Sequence, residues 1–170
     1  MRKVIYIFFT AILTMALWSC SEDILDDINK DINNPGDVES RLIITDAMTS
    51  SAFNLYGGDF ALFTSVYIEH NTGTFNQFYY ADIRSSQPTA SATYDNAWVG
   101  VYANLYSLKI IREKCSEGGS EVGNYHTLGI AQILTALNLA ALTDLMGDVP
   151  LIESCQPGVI FTPELDSQES

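Results

Sequence analysis

Apolar residues recur at three- and four-residue spacing in four stretches of the chain, and no run alternates convincingly with period two. The first stretch predicts a helix over 38–56, capped by Asp37, with Leu42, Ile43, Ala47, Met48, Phe53 and Tyr56 near one face and Gly57-Gly58 ending it. A shorter helix follows on Phe60, Phe63, Val66 and Tyr67 as far as His70, where Asn71-Thr72-Gly73 breaks the pattern. The stretch 74–91 holds Phe75, Phe78, Tyr79, Tyr80 and Pro88 and is the least regular part. A third helix is expected over 96–115, capped by Asp95 or Thr93, with Trp98, Val101, Tyr102, Leu105, Leu108 and Ile111 in period and Gly118-Gly119 as its stop. The fourth, 123–146, is apolar nearly all round, which places it between neighbours in a core. A membrane span is rejected for it, because Gln132, Thr135, Asn138, Thr143 and Asp144 interrupt it every few residues. Gly129 and the alanines at 131, 136, 140 and 141 would let another helix approach closely. Gly147 suits the position after this helix, and Asp148-Val149-Pro150 then leaves it extended. The fold class expected is all-α.

The N-terminus follows a different rule. Arg2 and Lys3 precede an apolar run from Val4 to Trp18, which is too short to span a bilayer and ends in Leu17-Trp18-Ser19-Cys20. Residues 1–19 therefore read as a lipoprotein signal peptide and Cys20 as the lipidated first residue of the mature chain, where more than one acyl chain makes anchoring stable. Residues 20–37 form an acidic tether, SEDILDD followed by Asn33-Asn34-Pro35-Gly36 turn chemistry, and 38–170 form the helical domain. The final TPELDSQES carries the capping residues of a further helix, so the domain is expected to be the N-terminal part of a larger one.

Charge narrows the partners. The chain carries a formal net charge of −13, and loss of Arg2 and Lys3 with the signal deepens it to about −15. The remaining Lys and Arg are few and scattered, which excludes nucleic-acid binding through phosphates and a direct electrostatic grip on anionic lipid. Cys115 and Cys155 are expected as free, largely buried thiols, since an antiparallel helix hairpin would set them about 30 Å apart.

Sugar binding without catalysis needs aromatic faces together with amide or carboxylate groups. Phe75, Asn76, Gln77, Phe78, Tyr79, Tyr80 and Asp82 offer both in a loop-like setting, with core or docking roles as the alternative for the rings. Trp98 is expected as a core anchor. Asp144 and Asp148 could serve as a glycosidase pair, but Asp148 follows a terminating glycine and should bond local backbone. His70 and His126 lack zinc spacing with the cysteines, no phosphate loop or nucleophile elbow occurs, and neither metal nor cofactor is expected.

Several segments together resemble the SusD/RagB family of nutrient-binding outer-membrane lipoproteins. They are the lipobox with its acidic tail, Asp31-Ile32-Asn33-Asn34-Pro35, Tyr67-Ile68-Glu69-His70 with Gly73, Tyr94-Asp95-Asn96-Ala97-Trp98 with Tyr102, and Leu142 through Gly147-Asp148-Val149-Pro150. Departures are Met146, where an aromatic is commoner, Leu151 in place of a tyrosine, and Trp18 in the lipobox. The resemblance implies tetratricopeptide-like helical hairpins with irregular loops, matching only the N-terminal third or so of a typical member. It also implies a cell-surface protein that captures glycans or other nutrients and passes them to a SusC-like TonB-dependent outer-membrane transporter, with no enzyme activity. A helical-repeat lipoprotein that scaffolds envelope proteins without binding a small ligand is the alternative.

Overall fold

The computed structural model describes residues 37–85 and 94–168. The signal peptide, Cys20 and the tether as far as Gly36 lie outside them. Among the described residues five α-helices follow one another: α1 Ser40–Ala52, α2 Asp59–Tyr67, α3 Asn76–Asp82, α4 Asp95–Cys115 and α5 Tyr125–Met146. Among the described residues the β content is a single antiparallel bridge between Val149 and Asp166. The fold is all-α, as the periodicity predicts.

Helix α1 begins two residues later than Asp37 capping would require. Glu39 takes the cap position without a side-chain bond, and the N–H of Ser40 donates instead to Glu121 Oε1 at 2.8 Å. Ser40 Oγ donates to the other oxygen of the same carboxylate, and Lys114 Nζ lies 3.6 Å from it. These contacts hold the Glu121 carboxyl below the usual range, the Ser40 hydrogen bonds first and Lys114 after them. A distant glutamate thus does the work expected of the local aspartate.

The side of α1 that is buried also differs from expectation. Ser40, Ala47 and Ser51 are buried and Ile43 and Ile44 pack beside them, whereas Leu42, Met48, Phe53 and Tyr56 are exposed. For Phe53 and Tyr56 the reason is a change of pitch. Phe53–Gly57 forms one π-helical turn, which rotates the end of the helix so that Leu55 rather than Phe53 or Tyr56 enters the core.

Helix α4 is the centre of the unit. Its Ala97, Val101 and Leu105 meet Leu55, Phe60, Leu142 and Val149, and its Leu108, Ile111 and Cys115 meet Ala47 and Ala131. Trp98, half-buried, packs at a tilt on Tyr102 with ring centroids 4.9 Å apart, in keeping with an anchoring role. Tyr94 takes the cap position without a side-chain bond and Asp95 is the first residue of the helix, while Thr93 lies outside the described residues. A smaller cluster joins Phe63 and Val66 of α2 to Ala81 of α3.

Helix α5 departs most from its pattern. Asn124 caps it by accepting from Thr127 N–H at 3.4 Å, and Gly147 ends it with φ of 81°, a region only glycine enters freely. The sequence places it between neighbours on all sides, yet only Ala131, Asn138 and Leu142 are buried and Ile133 is 70% exposed. The helices packed on it, α1 and α4, cover one side only. Its buried asparagine lies in a polar junction: Asn138 Nδ2 and Asn104 Nδ2 donate to Ser51 Oγ at 2.9 and 2.8 Å, joining α5, α4 and α1. Tyr125–Met146 is long and apolar enough to cross a bilayer, and this polar junction joins its inner side to α1 and α4.

Beyond α5 the chain makes a closed excursion. Val149 and Asp166 exchange backbone hydrogen bonds at 3.3 and 3.1 Å, and Asp166 Oδ2 accepts the N–H groups of Leu151 and Ile152 at 2.7 and 2.9 Å. Asp148, expected to bond its own turn, accepts instead from Gln168 N–H at 3.2 Å, and Asp144 accepts from the Gln168 side-chain amide at the same distance. The excursion is held to α4 by Tyr102, whose hydroxyl donates to Pro150 O at 2.8 Å, and by Lys109, whose ammonium donates to Cys155 O at 2.9 Å. This return run brings Cys155 against the middle of α4, away from Cys115 at its end, and both thiols are free.

Candidate functional site

Of the stretch 74–91, the part read as irregular, Asn76–Asp82 is a short helix, while residues 86–93 lie outside the described residues. The turn before it is built around Ser65 of α2. The Ser65 carbonyl accepts the N–H groups of His70 and Asn71 at 2.9 and 3.1 Å, and its hydroxyl accepts Asn71 Nδ2 at 2.9 Å. Gly73 then passes against the start of α3 so closely that a Cβ there would lie 1.8 Å from Phe78 O. Only glycine permits that approach. Arg84 closes the frame by donating to Tyr67 O at 3.1 Å and to Glu69 Oε1 at 3.0 Å.

This frame leaves a cleft of about 390 Å³ between α2 and the start of α3. Its lining includes Phe75, Asn71, Thr72, Thr74 and Ser65. Phe75 is 79% exposed, an uncovered ring beside one amide and three hydroxyls. Of the seven residues that sequence places in a sugar site, the structure brings Phe75 and Phe78 to the cleft. Phe78 serves mainly as its inner wall, stacked on Phe63 with centroids 5.0 Å apart. Tyr79 and Tyr80 pack edge to face on each other at 5.7 Å, outside the lining, as are Asn76, Gln77 and Asp82. Ser65, Asn71, Thr72 and Thr74 were not singled out by sequence. The Asn71-Thr72-Gly73 run carries the signal, since a helix stop made of polar residues next to a loop aromatic supplies hydrogen-bonding groups as well as a turn.

A larger cleft of about 680 Å³ lies between α4, α5 and residues 151–155. Lys109, Arg112, Glu113, Gln132 and Thr135 give it mixed polarity, Leu105 and Leu139 lie in its wall, and no aromatic ring lines it. Cys155 also lines it, with its thiol pushed up by burial. Among the described residues no group of three or more His, Cys, Asp or Glu side chains could hold a metal ion. Asp144 and Asp148 line neither cleft and are both engaged by Gln168.

Comparison with known proteins agrees with this architecture. A family model described as SusD-like, starch-binding and associating with the outer membrane, matches residues 33–170. A crystal structure of a SusD/RagB family protein from Bacteroides thetaiotaomicron VPI-5482 superposes with a TM-score of 0.72 at 39% sequence identity. The match covers 78% of this chain and 27% of that one, so the chain spans little more than a quarter of that relative's length. No curated protein matches it. With the family model covering the whole described region and a solved member sharing its helices, the chain belongs to the SusD/RagB family.

Proposed function

We propose that this protein captures starch or a related glycan at the outer membrane and hands it, unaltered, to a SusC-like TonB-dependent transporter. The observation that carries the reading is Phe75: an uncovered ring at the mouth of a cleft whose polar groups are three hydroxyls and an amide. A pyranose presents an apolar face to such a ring and hydroxyls to its polar neighbours. The family's description as starch-binding fits that chemistry. The absence of aromatic rings from the larger cleft favours the smaller one for this task. Asp144 and Asp148 are occupied in fastening Gln168, so the carboxylate pair that could have suggested hydrolysis has a structural employment.

Lipid on Cys20 holds the protein at the cell surface, with the acidic tether giving it reach. Phe75→Ala is expected to weaken retention in a starch affinity gel by about tenfold, while Tyr79→Ala, outside the cleft lining, leaves it unchanged. Equal retention of wild type and Phe75→Ala removes this cleft from the site. Cys20→Ala is expected to release the protein from membrane fractions, and unchanged sedimentation with membranes refutes the anchor.

A further inference from the structure

The cleft between α2 and the start of α3 is lined without a charge: none of its residues is Asp, Glu, Lys, Arg or His. Arg84, the cation of its frame, is taken up by Tyr67 O and Glu69. In a chain of net charge −13, an anionic ligand would find no partner in the cleft and a repelling field around it. A neutral ligand meets neither difficulty. Selection among ligands then falls to the few polar atoms of the lining.

Ser65 decides how one of these atoms is presented. Its hydroxyl donates to Leu62 O at 2.7 Å and so keeps only its acceptor capacity for Asn71. The Asn71 amide must therefore turn its nitrogen to Ser65, as it does at 2.9 Å, which leaves its carbonyl oxygen uncommitted. Among the described residues nothing donates to that oxygen. The backbone supports the same placement, since Asn71 N–H donates to Ser65 O at 3.1 Å and ties main chain and side chain to one residue. Thr72 and Thr74 add hydroxyls, which donate or accept as a ligand requires and so do not choose between ligands. A carbonyl oxygen does choose: it accepts from a hydroxyl and repels a carboxylate. Resting on the reading of this cleft as the glycan site, we propose that it selects neutral glycans over those that bear carboxylates, and that Asn71, positioned by Ser65, is the residue that selects.

Two probes that share one backbone test this: maltoheptaose, and the same oligosaccharide with its primary alcohols oxidised to carboxylates. Isothermal titration of the full chain in detergent, in about 0.5 M NaCl, screens the repulsion of the chain as a whole and leaves what the cleft itself contributes. The neutral probe should still bind about tenfold more tightly than the oxidised one. Ser65→Ala frees the amide to turn its nitrogen outward and should cut that preference to about threefold or less, while Ser65→Thr, which keeps the hydroxyl, should retain it. Asn71→Lys puts a cation where the oxygen stood and should move the preference toward the oxidised probe by about tenfold or more, with helical circular dichroism unchanged because the side chain is exposed. Equal binding of the two probes by the wild type overturns the proposal. A preference untouched by both Ser65→Ala and Asn71→Lys removes Asn71 from the role. Phe75→Ala should weaken both probes alike; if it weakens neither, or if the wild type binds neither, the glycan reading of the cleft falls and the proposal with it.

Discussion

Helices α4 and α5 are of nearly equal length, 21 and 22 residues, and their composition would rank their burial in the wrong order. α4 carries Lys109, Arg112, Glu113 and Lys114 and buries seven residues, while the far more apolar α5 buries three. α4 is flanked by α1, α5 and the 150–155 run, so most of its circumference has a neighbour; α5 has neighbours on one side only. Hydropathy states what a helix can bury. Position in the fold decides what it does bury.

The comparison can be broken by substitution. Leu108→Ala, at a fully buried site on α4, is expected to cost about 2–5 kcal/mol, read as a fall in the denaturant midpoint. A cost under about 1 kcal/mol would show that α4 is not the centre of the core. Asn138→Ala tests the inner side of α5, where a polar rather than an apolar group makes the join. Removing it leaves Ser51 and Asn104 short of a partner in a buried junction, an expected loss of about 1–3 kcal/mol by thermal unfolding.

Tyr102→Phe probes the fastening of the 150–155 run to α4 and should cost about 1 kcal/mol through the lost bond to Pro150. The same residue gives a pH dependence. Burial first, then Cys155 and Asp166, raise the Tyr102 hydroxyl from 10.0 to about 12. A raised value means that folding favours the protonated phenol, so its contribution is full below pH 10 and is lost as pH rises through about 12. Tyr94, also raised to about 12 by burial and then by Tyr67 and Asp59, behaves alike, so Tyr102→Phe should make alkaline unfolding shallower without abolishing it. An unchanged alkaline profile would separate the hydroxyl from the stability of the run.

Much of the fold is legible because its punctuation is local. Gly57-Gly58, Gly118-Gly119 and Gly147 end their helices where turn chemistry puts them, and Phe60, Phe63 and Val66 face inward at their predicted spacing. What sequence misses depends on distant partners. Glu121 replaces Asp37 at the start of α1 from 81 residues away, and no local rule reaches that far. The π-turn at Phe53–Gly57 shifts the inward face by a fraction of a turn, enough to exchange Leu55 for Phe53 and Tyr56. At the candidate site, composition identifies Phe75 as an accessible ring but cannot divide the aromatics between cleft and core. That division follows from Phe78 stacking on Phe63 and from the close passage of Gly73.

The Val149–Asp166 pair has a mechanical consequence. The chain enters the pair from α5 and leaves it toward Gln168 on the same side, as antiparallel geometry dictates, so tension between those ends loads its hydrogen bonds one after another and not all at once. A fastening loaded in that way unzips at low force. Its opening would free residues 156–165, about 34 Å of slack at ~3.4 Å per residue, before strain reached Cys155 and the Lys109 bond that holds it to α4. The excursion is therefore a length reserve, able to let whatever follows Gln168 move away while α4 and α5 stay packed.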